Sequence, residues 1–165
     1  MQALPSGYPS DLYGAFEMLK RRARLALEDL KVLAMIESAG ELFYLNMAKT
    51  LVNPEAKKLM ARNGQEERGH AHRMLKAIHL LGDRSFELPA HPENPFVETL
   101  APEIPVNGDV LTMLETAEKD GNLHYQAWAD AEPNAEVAKL LRQNGAEEST
   151  HGERVAQIKV LLRGN

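Results

Sequence analysis

Two short stretches of this chain, NGQEERGHAHR and NGAEESTHGER, carry the same charged residues 81 positions apart. Each contains a Glu-x-x-His motif, formed by Glu67 and His70 in the first stretch and by Glu148 and His151 in the second. Residues three apart on a helix share one face, so each motif brings a carboxylate and an imidazole together. Oxygen and imidazole donors of this kind bind first-row divalent metals, and iron and manganese suit them well.

A further glutamate precedes each motif by 30 residues, Glu37 in the first copy and Glu118 in the second. Four carboxylates gathered in a protein interior would be strongly destabilising without partners. Protonation is one remedy, and ion pairing with Arg73 or Arg154 is another. Two divalent cations would balance all four charges and also use both imidazoles. We therefore predict a dinuclear metal site held by four glutamates and two histidines inside a helical bundle.

Four other acidic residues lie close enough in sequence to be alternative or additional ligands. A single Glu-x-x-His motif is common on solvated helix surfaces, and its recurrence at one offset is what favours a site. Glu66 and Glu147 also lie one turn from the histidines and are alternative ligands. Glu41 and Glu115 lie a turn from Glu37 and Glu118 respectively, as additional ligands or as surface residues.

Two tyrosines and two glycines share the faces that carry these glutamates. Tyr44 and Tyr125 each follow the lone glutamate of their copy by seven residues, which is two helical turns. A buried tyrosine needs a hydrogen-bond partner, and a ligand carboxylate of the other copy is the expected one; simple aromatic packing is the alternative. Gly40 and Gly121 would leave room beside the metals for a small ligand such as dioxygen or peroxide.

The elements that must position these residues are helices. Apolar residues recur at intervals of three and four over one short stretch, 11–24, and over four long stretches, which predicts one short helix and four long helices. The stretch 85–108 contains five prolines and predicts a long crossover between the second and third long helices. More than a third of residues 30–81 are identical to the residue 81 positions later, which favours a duplicated helical hairpin.

The predicted fold class is therefore all-α, a four-helix bundle made of two duplicated hairpins with a long crossover, plus a short N-terminal helix. Gly64 and Gly145 lie inside helices and indicate a close helix crossing or a local bulge near the site, since glycine destabilises a helix interior by about 1 kcal/mol relative to alanine. The predicted division is an N-terminal tail and short helix at 1–25 and a bundle at 26–165, with hairpins at 26–82 and 109–163 and a crossover at 83–108.

Composition and charge exclude several kinds of site and argue against several kinds of partner. The chain has 165 residues, a net charge of −5 and no cysteine, so disulfides, zinc–thiolate sites and thiol catalysis are excluded. The acidic balance argues against nucleic acid or a membrane surface as a partner. No long apolar run or signal-peptide pattern is present, so we expect a cytoplasmic protein. The apolar face of the N-terminal helix must pack on the bundle or on another subunit, and a homodimer is the expectation.

The stretch IESAGELFYLNMAKTLVNPEAKKLMARNGQEERGHAHRML resembles the first hairpin of rubrerythrins, within the ferritin-like diiron proteins. The resemblance covers about residues 26–163 and implies a ferritin-like bundle. It implies that two iron ions, with manganese as an alternative, are bound between the hairpins, with the tyrosines behind the ligands. The implied ligands and tyrosines are Glu37, Glu67, His70, Glu118, Glu148 and His151, and Tyr44 and Tyr125.

The resemblance further implies reaction with dioxygen or hydrogen peroxide, in oxidative-stress defence or iron handling, with electrons from a separate donor protein. Two departures qualify this activity. Rubrerythrins carry a cysteine-ligated iron domain that this chain lacks, and an exchanging glutamate where this chain has Gly121. A module that binds iron for sensing or delivery with little turnover, and a dimanganese catalase-like protein, are the alternatives.

Overall fold

The computed structural model describes residues 3–163. Within that range the chain contains helices and no strand, which confirms the all-α class. The predicted limits at residues 1 and 165 lie outside the described residues, and the division of the chain at residue 25 stays a prediction. The helices are α1 (Leu12–Lys20), α2 (Leu27–Thr50), α3 (Pro54–Leu80), α4 (Gly108–Ala131) and α5 (Ala135–Arg163), with a 3-10 turn at His91–Glu93.

Asparagine caps start three of the four long helices. The side chain of Asn53 accepts hydrogen bonds from the first-turn amides of α3, and Pro54 follows in the first turn. Asn107 and Asn134 do the same for α4 and α5. Helix α4 thus begins at Gly108, one residue before the predicted start. Helix α1 ends at Lys20, four residues before its predicted end.

The bundle consists of two hairpins. Helix α2 packs on α3, α4 packs on α5, and α3 and α5 pack on each other across the hairpins. The glycines inside α3 and α5 lie at these contacts, as expected. A Cβ atom added at Gly64 would lie 2.9 Å from the carbonyl oxygen of Glu41, and one added at Gly145 would lie 2.9 Å from Cβ of Tyr125.

The long crossover packs along α2. Asn94 is buried and donates a hydrogen bond of 2.8 Å to the carbonyl oxygen of Met35. Phe96 beside it is fully buried, and the amide of Ile104 bonds to the carbonyl oxygen of Asn46. These contacts hold the proline-rich segment against α2 through one side-chain bond, one buried ring and one backbone hydrogen bond.

Two apolar clusters fill the bundle interior, one containing Leu33, Ile78 and Trp128 and the other containing Met47 and Ile158. Each long helix contributes to both clusters. In α3, α4 and α5 the candidate metal ligands lie between the two contributions, and in α2 Glu37 lies near the end of the first contribution. The polar centre is therefore enclosed at both ends by hydrocarbon. Among residues 3–163, no helix combines the length and hydrophobicity needed to cross a lipid bilayer.

Candidate metal centre

The six predicted ligands meet at the middle of the bundle, one or two from each long helix. Both histidine rings are fully buried, and no glutamate of the set is more than 7% exposed. Their donor atoms form two groups, in each of which all atoms lie within 4.8 Å of one another. Glu67 and Glu148 belong to both groups. The first group is Glu37, Glu67, His70 and Glu148; the second is Glu67, Glu118, Glu148 and His151.

The Nδ1 atoms of the two imidazoles face inward onto these carboxylates. Nδ1 of His70 lies 3.4 Å from one oxygen of Glu67 and 3.3 Å from one oxygen of Glu148. Nδ1 of His151 lies 3.2 Å and 3.5 Å from the other oxygens of the same two residues. Glu67 and Glu148 thus each direct one oxygen to each half of the site, which is the arrangement of bridging carboxylates.

The lone glutamates each complete one half of the site. Glu37 Oε2 lies 3.3 Å from Nδ1 of His70, and Glu118 Oε2 lies 3.6 Å from Nδ1 of His151. The two imidazole rings are nearly parallel, with centroids 5.1 Å apart and an interplanar angle of 14°. The centre therefore has an approximate two-fold arrangement, in which each half combines ligands from both hairpins.

Glu66 and Glu147 occupy the outer side of the imidazoles and belong to neither donor group. Glu147 Oε2 lies 3.1 Å from Nε2 of His70, and Glu66 Oε2 lies 3.2 Å from Nε2 of His151. A carboxylate at Nε2 favours the tautomer that leaves the inward Nδ1 lone pair available for a metal. These glutamates are placed to orient the imidazoles rather than to join the ligand set.

Each outer glutamate is held by an arginine of the opposite hairpin. Arg154 reaches Glu66 with two hydrogen bonds, of 2.6 and 3.0 Å. Arg73 makes one hydrogen bond to Glu147 and directs its Nε–H to Asn144 instead. Because a two-point contact with a guanidinium fixes the carboxylate plane, Arg154 fixes the orientation of Glu66, whereas Arg73 restrains Glu147 at one oxygen only.

Two asparagines link these networks to the backbone, a role that the sequence reasoning missed. Asn63 accepts a 3.0 Å bond from Arg154 and donates to the carbonyl oxygen of His151. Asn144 accepts a 2.5 Å bond from Arg73 and donates to the hydroxyl of Tyr125. Their signal was present in the sequence, since both copies of the charged stretch begin with Asn-Gly.

The two tyrosines hydrogen-bond across the hairpins to the lone glutamates. The hydroxyl of Tyr44 donates to Glu118, and that of Tyr125 donates to Glu37 Oε1 at 2.5 Å. Burial, together with the charge of Glu37, raises the pKa of Tyr125 well above its usual value, so its hydroxyl keeps the proton it donates. Their part in metal chemistry stays a prediction.

The pKa values of the four inner carboxyls are shifted in two opposite directions. Burial first, and repulsion by Glu67 second, raises the pKa of Glu37 to about 8. Burial and the neighbouring Glu148 likewise raise the pKa of Glu118 well above its usual range. Burial also acts to raise the pKa of Glu67 and Glu148. For Glu67 the two imidazoles outweigh it, and the pKa falls to about 2. For Glu148 the hydrogen bond with Glu118 and then the imidazoles outweigh it, and the pKa falls well below its usual value.

The imidazoles are drawn toward the charged form. Burial acts to lower the pKa of both rings, yet the surrounding carboxylates outweigh it. The pKa of His151 rises to about 12, and that of His70 rises well above its usual value. Without a metal, the centre thus balances two carboxylates against two imidazolium ions and keeps Glu37 and Glu118 protonated.

The hydrogen bonding of His151 tests whether a metal fits this centre. Both ring nitrogens are buried and make no hydrogen bond to the residues that the structure describes, although carboxylate oxygens lie 3.2 Å away. Buried polar atoms are normally satisfied, and an exception calls for an additional partner. A cation between Nδ1 and the inner carboxylates supplies the partner that Nδ1 lacks, so the donor set fits a divalent metal.

The remaining acidic candidates lie elsewhere. Glu41 pairs with Nε2 of His91 at 3.3 Å, on the crossover side of α2. Glu115 accepts a 2.9 Å hydrogen bond from Lys119 at the surface. Neither belongs to a donor group with the six ligands. Trp128, which has no counterpart in the first hairpin, is buried and donates to the carbonyl oxygen of Arg22.

A cavity of about 150 Å³ opens beside the centre, next to Gly40 and Gly121. A Cβ atom at Gly40 would lie 3.3 Å from the side chain of Glu67, and one at Gly121 would lie 3.6 Å from that of Glu148. The two glycines therefore keep space on the side of the bridging carboxylates, as the sequence suggested.

Comparison with known proteins gives one family. The family model described as Rubrerythrin matches residues 30–159, which is most of the chain and includes all six candidate ligands and both tyrosines. No curated protein and no solved structure gives a significant match.

Proposed function

The chain belongs to the rubrerythrin family, and from that premise we propose that it is a dinuclear iron protein whose centre reacts with dioxygen or hydrogen peroxide. Electrons come from a separate donor protein. The observation that carries this proposal is the pair of buried donor groups that share Glu67 and Glu148. Two metals held by shared carboxylates can act on one small molecule together.

The chain's own residues have distinct tasks in this proposal. Glu67 and Glu148 would each offer one oxygen to each of the two metals, while Glu37 and Glu118 would complete the two halves. Two bound iron ions would supply the redox steps and the Lewis acidity that side chains lack. The apolar clusters at both ends exclude bulk water and strengthen every electrostatic contact inside.

Hydrogen bonds keep the ligands in place while charge at the centre changes. Tyr125 holds its hydroxyl proton toward Glu37, and Tyr44 does so toward Glu118, which restrains each carboxylate to one orientation. Glu147 hydrogen-bonds to Nε2 of His70, and the carboxylate of Glu66 lies 3.2 Å from Nε2 of His151, so that each Nδ1 stays directed inward.

Metal binding is tested by anaerobic Fe(II) titration of the purified protein, with metal analysis and thermal melting. We expect two irons per chain and a raised melting temperature, since a ligand that binds only the folded state stabilises it. His70→Ala and Glu148→Ala should lose iron, whereas Glu153→Gln, an exposed position on α5, should bind as the wild type does. No uptake and no melting shift with Fe(II) or Mn(II) would contradict the proposal.

The sequence also favours a second candidate, an iron-binding module for sensing or delivery with little turnover. Gly121 supports it, because it stands where rubrerythrins are expected to carry an exchanging glutamate. Repeated addition of peroxide with a chemical reductant separates the two functions: many turnovers support the oxidoreductase, and one turnover per site supports the module. Replacing Fe(II) with Mn(II) in the same assay tests dimanganese catalase-like activity, which would evolve dioxygen from peroxide without added reductant.

A further inference from the structure

A groove of about 570 Å³ runs along the outside of the bundle between α1 and α4. Leu12 and Phe16 of α1 form one wall, and Phe43 and Leu114 lie opposite. Apolar clefts of this size are typical binding sites for small organic molecules. At the mouth, Tyr13 is 74% exposed and Met113 57%, so an occupant would remove apolar surface from water.

The inner end of the groove reaches the candidate metal centre. The cavity of about 150 Å³ beside the two glycines is bounded by the four inner glutamates. Groove and cavity also share one set of apolar wall residues: Leu12, Phe16, Phe43, Leu114 and Ala117. The groove and the cavity therefore adjoin each other, and apolar side chains line the way from the protein surface toward Glu67 and Glu148, on the side of the two glycines. Water and hydrogen peroxide gain nothing from such a lining, and dioxygen is far smaller than the groove, whereas an apolar organic molecule fits both the lining and the size.

The charges around the groove indicate the kind of molecule it takes. Lys20 is paired with Glu17 at 2.5 Å and offers no spare positive charge. Asp109 and Asp120 line the same groove, and neither makes an ion pair within residues 3–163. The groove thus has a negative edge, which disfavours carboxylic acids and other anions. An uncharged molecule is compatible with both the lining and the edge.

We propose that this groove binds an uncharged organic molecule with an apolar body and brings one end of it against the carboxylates of the centre. The consequence for chemistry rests on the proposed function: such a molecule is the substrate class of the dinuclear centre, in addition to dioxygen or hydrogen peroxide. Binding itself needs only the groove and is measured on metal-free protein.

The first experiment titrates the neutral fluorophore N-phenyl-1-naphthylamine into the metal-free full chain. We expect saturable fluorescence enhancement with one site per chain. Ala117 is an exposed residue shared by groove and cavity, so Ala117→Phe fills the route without disturbing the core, and it should weaken binding about tenfold or more by steric exclusion. Ala127→Phe, at an exposed position of the same helix outside the groove, is the matched control and should bind normally.

Displacement tests the charge argument. Decanol and decanoate have the same hydrocarbon length and differ in charge, and we expect decanol to displace the fluorophore at lower concentration. Unsaturable binding, or equal affinity in both alanine variants, would overturn the groove as a binding site. Stronger displacement by decanoate would overturn its preference for uncharged molecules.

A spectroscopic measurement tests whether a molecule bound in the groove contacts the metal centre. Visible absorption of the Co(II)-loaded protein reports the ligand field at the metal, and decanol should change it in the wild type but not in Ala117→Phe. An unchanged spectrum in a wild-type protein that binds decanol would refute the contact between groove and centre. Absence of any Co(II) spectrum would count against the metal centre of the proposed function instead, while the fluorescence titration would still decide the groove.

Discussion

Metal uptake should release about four protons for each pair of divalent ions bound at pH 7, because two metals with four charges must replace protons already balancing the site. Burial raises the pKa of Glu37 to about 8 and that of Glu118 well above its usual range, so both carboxyls hold a proton at pH 7. Against the effect of burial, the carboxylates raise the pKa of His70 and His151, so each imidazole carries an extra proton. Two carboxyl and two imidazolium protons must leave.

The sign of the pH dependence follows directly. Protons compete with the metal ions for these donor groups, and the protonated fraction of each group rises as pH falls. The metal affinity must therefore decrease as pH decreases. Near pH 7 the overall affinity for the pair should rise about 10⁴-fold per pH unit, and less steeply once pH exceeds the pKa of Glu37.

Proton release is measured by adding Mn(II) to weakly buffered metal-free protein that contains a pH indicator. Glu118→Gln removes one of the four protons and should lower the count. Glu115→Gln, at a half-buried position on the same helix that pairs with Lys119, should leave it unchanged. Release of one proton or none in the wild type would refute the reasoning, because the carboxyls would then be ionised and the imidazoles neutral before the metal arrives.

Three further outcomes are expected. Gly64→Ala should lower the free energy of unfolding by about 1–3 kcal/mol in urea denaturation, because its Cβ would lie 2.9 Å from a backbone carbonyl oxygen of α2. Gly69→Ala, with space around it, should instead be stabilising by up to about 1 kcal/mol, and equal effects would contradict the close crossing. Tyr125→Phe should weaken metal affinity about 10–100-fold in chelator competition, because Glu37 loses its hydrogen-bond donor; unchanged affinity would count against this. Burial and the bond to Asp29 raise the pKa of Tyr8 to about 12, so the wild type should lose on the order of 1 kcal/mol of stability as pH rises from 10 to 12, after discounting for solvent screening. Tyr8→Phe should lose less over that range in alkaline melts, and an identical loss would refute the assignment.

The helices and the clustering of the six candidate ligands were predictable because their signals are local and repeated. Helical spacing of apolar residues and the Asn-Pro start of α3 place the elements, and the 81-residue offset picks out the polar residues that both hairpins keep. Helix ends are predicted less accurately: no residue near Arg24 indicates that α1 ends at Lys20, and α4 starts directly after its cap Asn107, one residue before the predicted start at 109.

The choice between Glu66 and Glu67 illustrates what spacing alone leaves open. Both lie about one turn from His70, so sequence distance does not separate them. The structure separates them by direction: Glu67 lies with the inward Nδ1 atoms, whereas Glu66 lies at Nε2 of His151 in the other hairpin. That direction depends on how α3 and α5 are rotated about their axes when they pack together.

The sequence by itself therefore determined the helical class, the paired ligand types and the family resemblance, because all three depend only on residue types and their spacing along the chain. Tertiary structure alone decided which oxygens are shared, which nitrogen faces inward and where the centre opens. These depend on contacts between helices far apart in the chain, such as Tyr44 with Glu118 and Phe16 with the wall of α4. Such contacts follow from the packing of whole side-chain surfaces, which a linear pattern does not record.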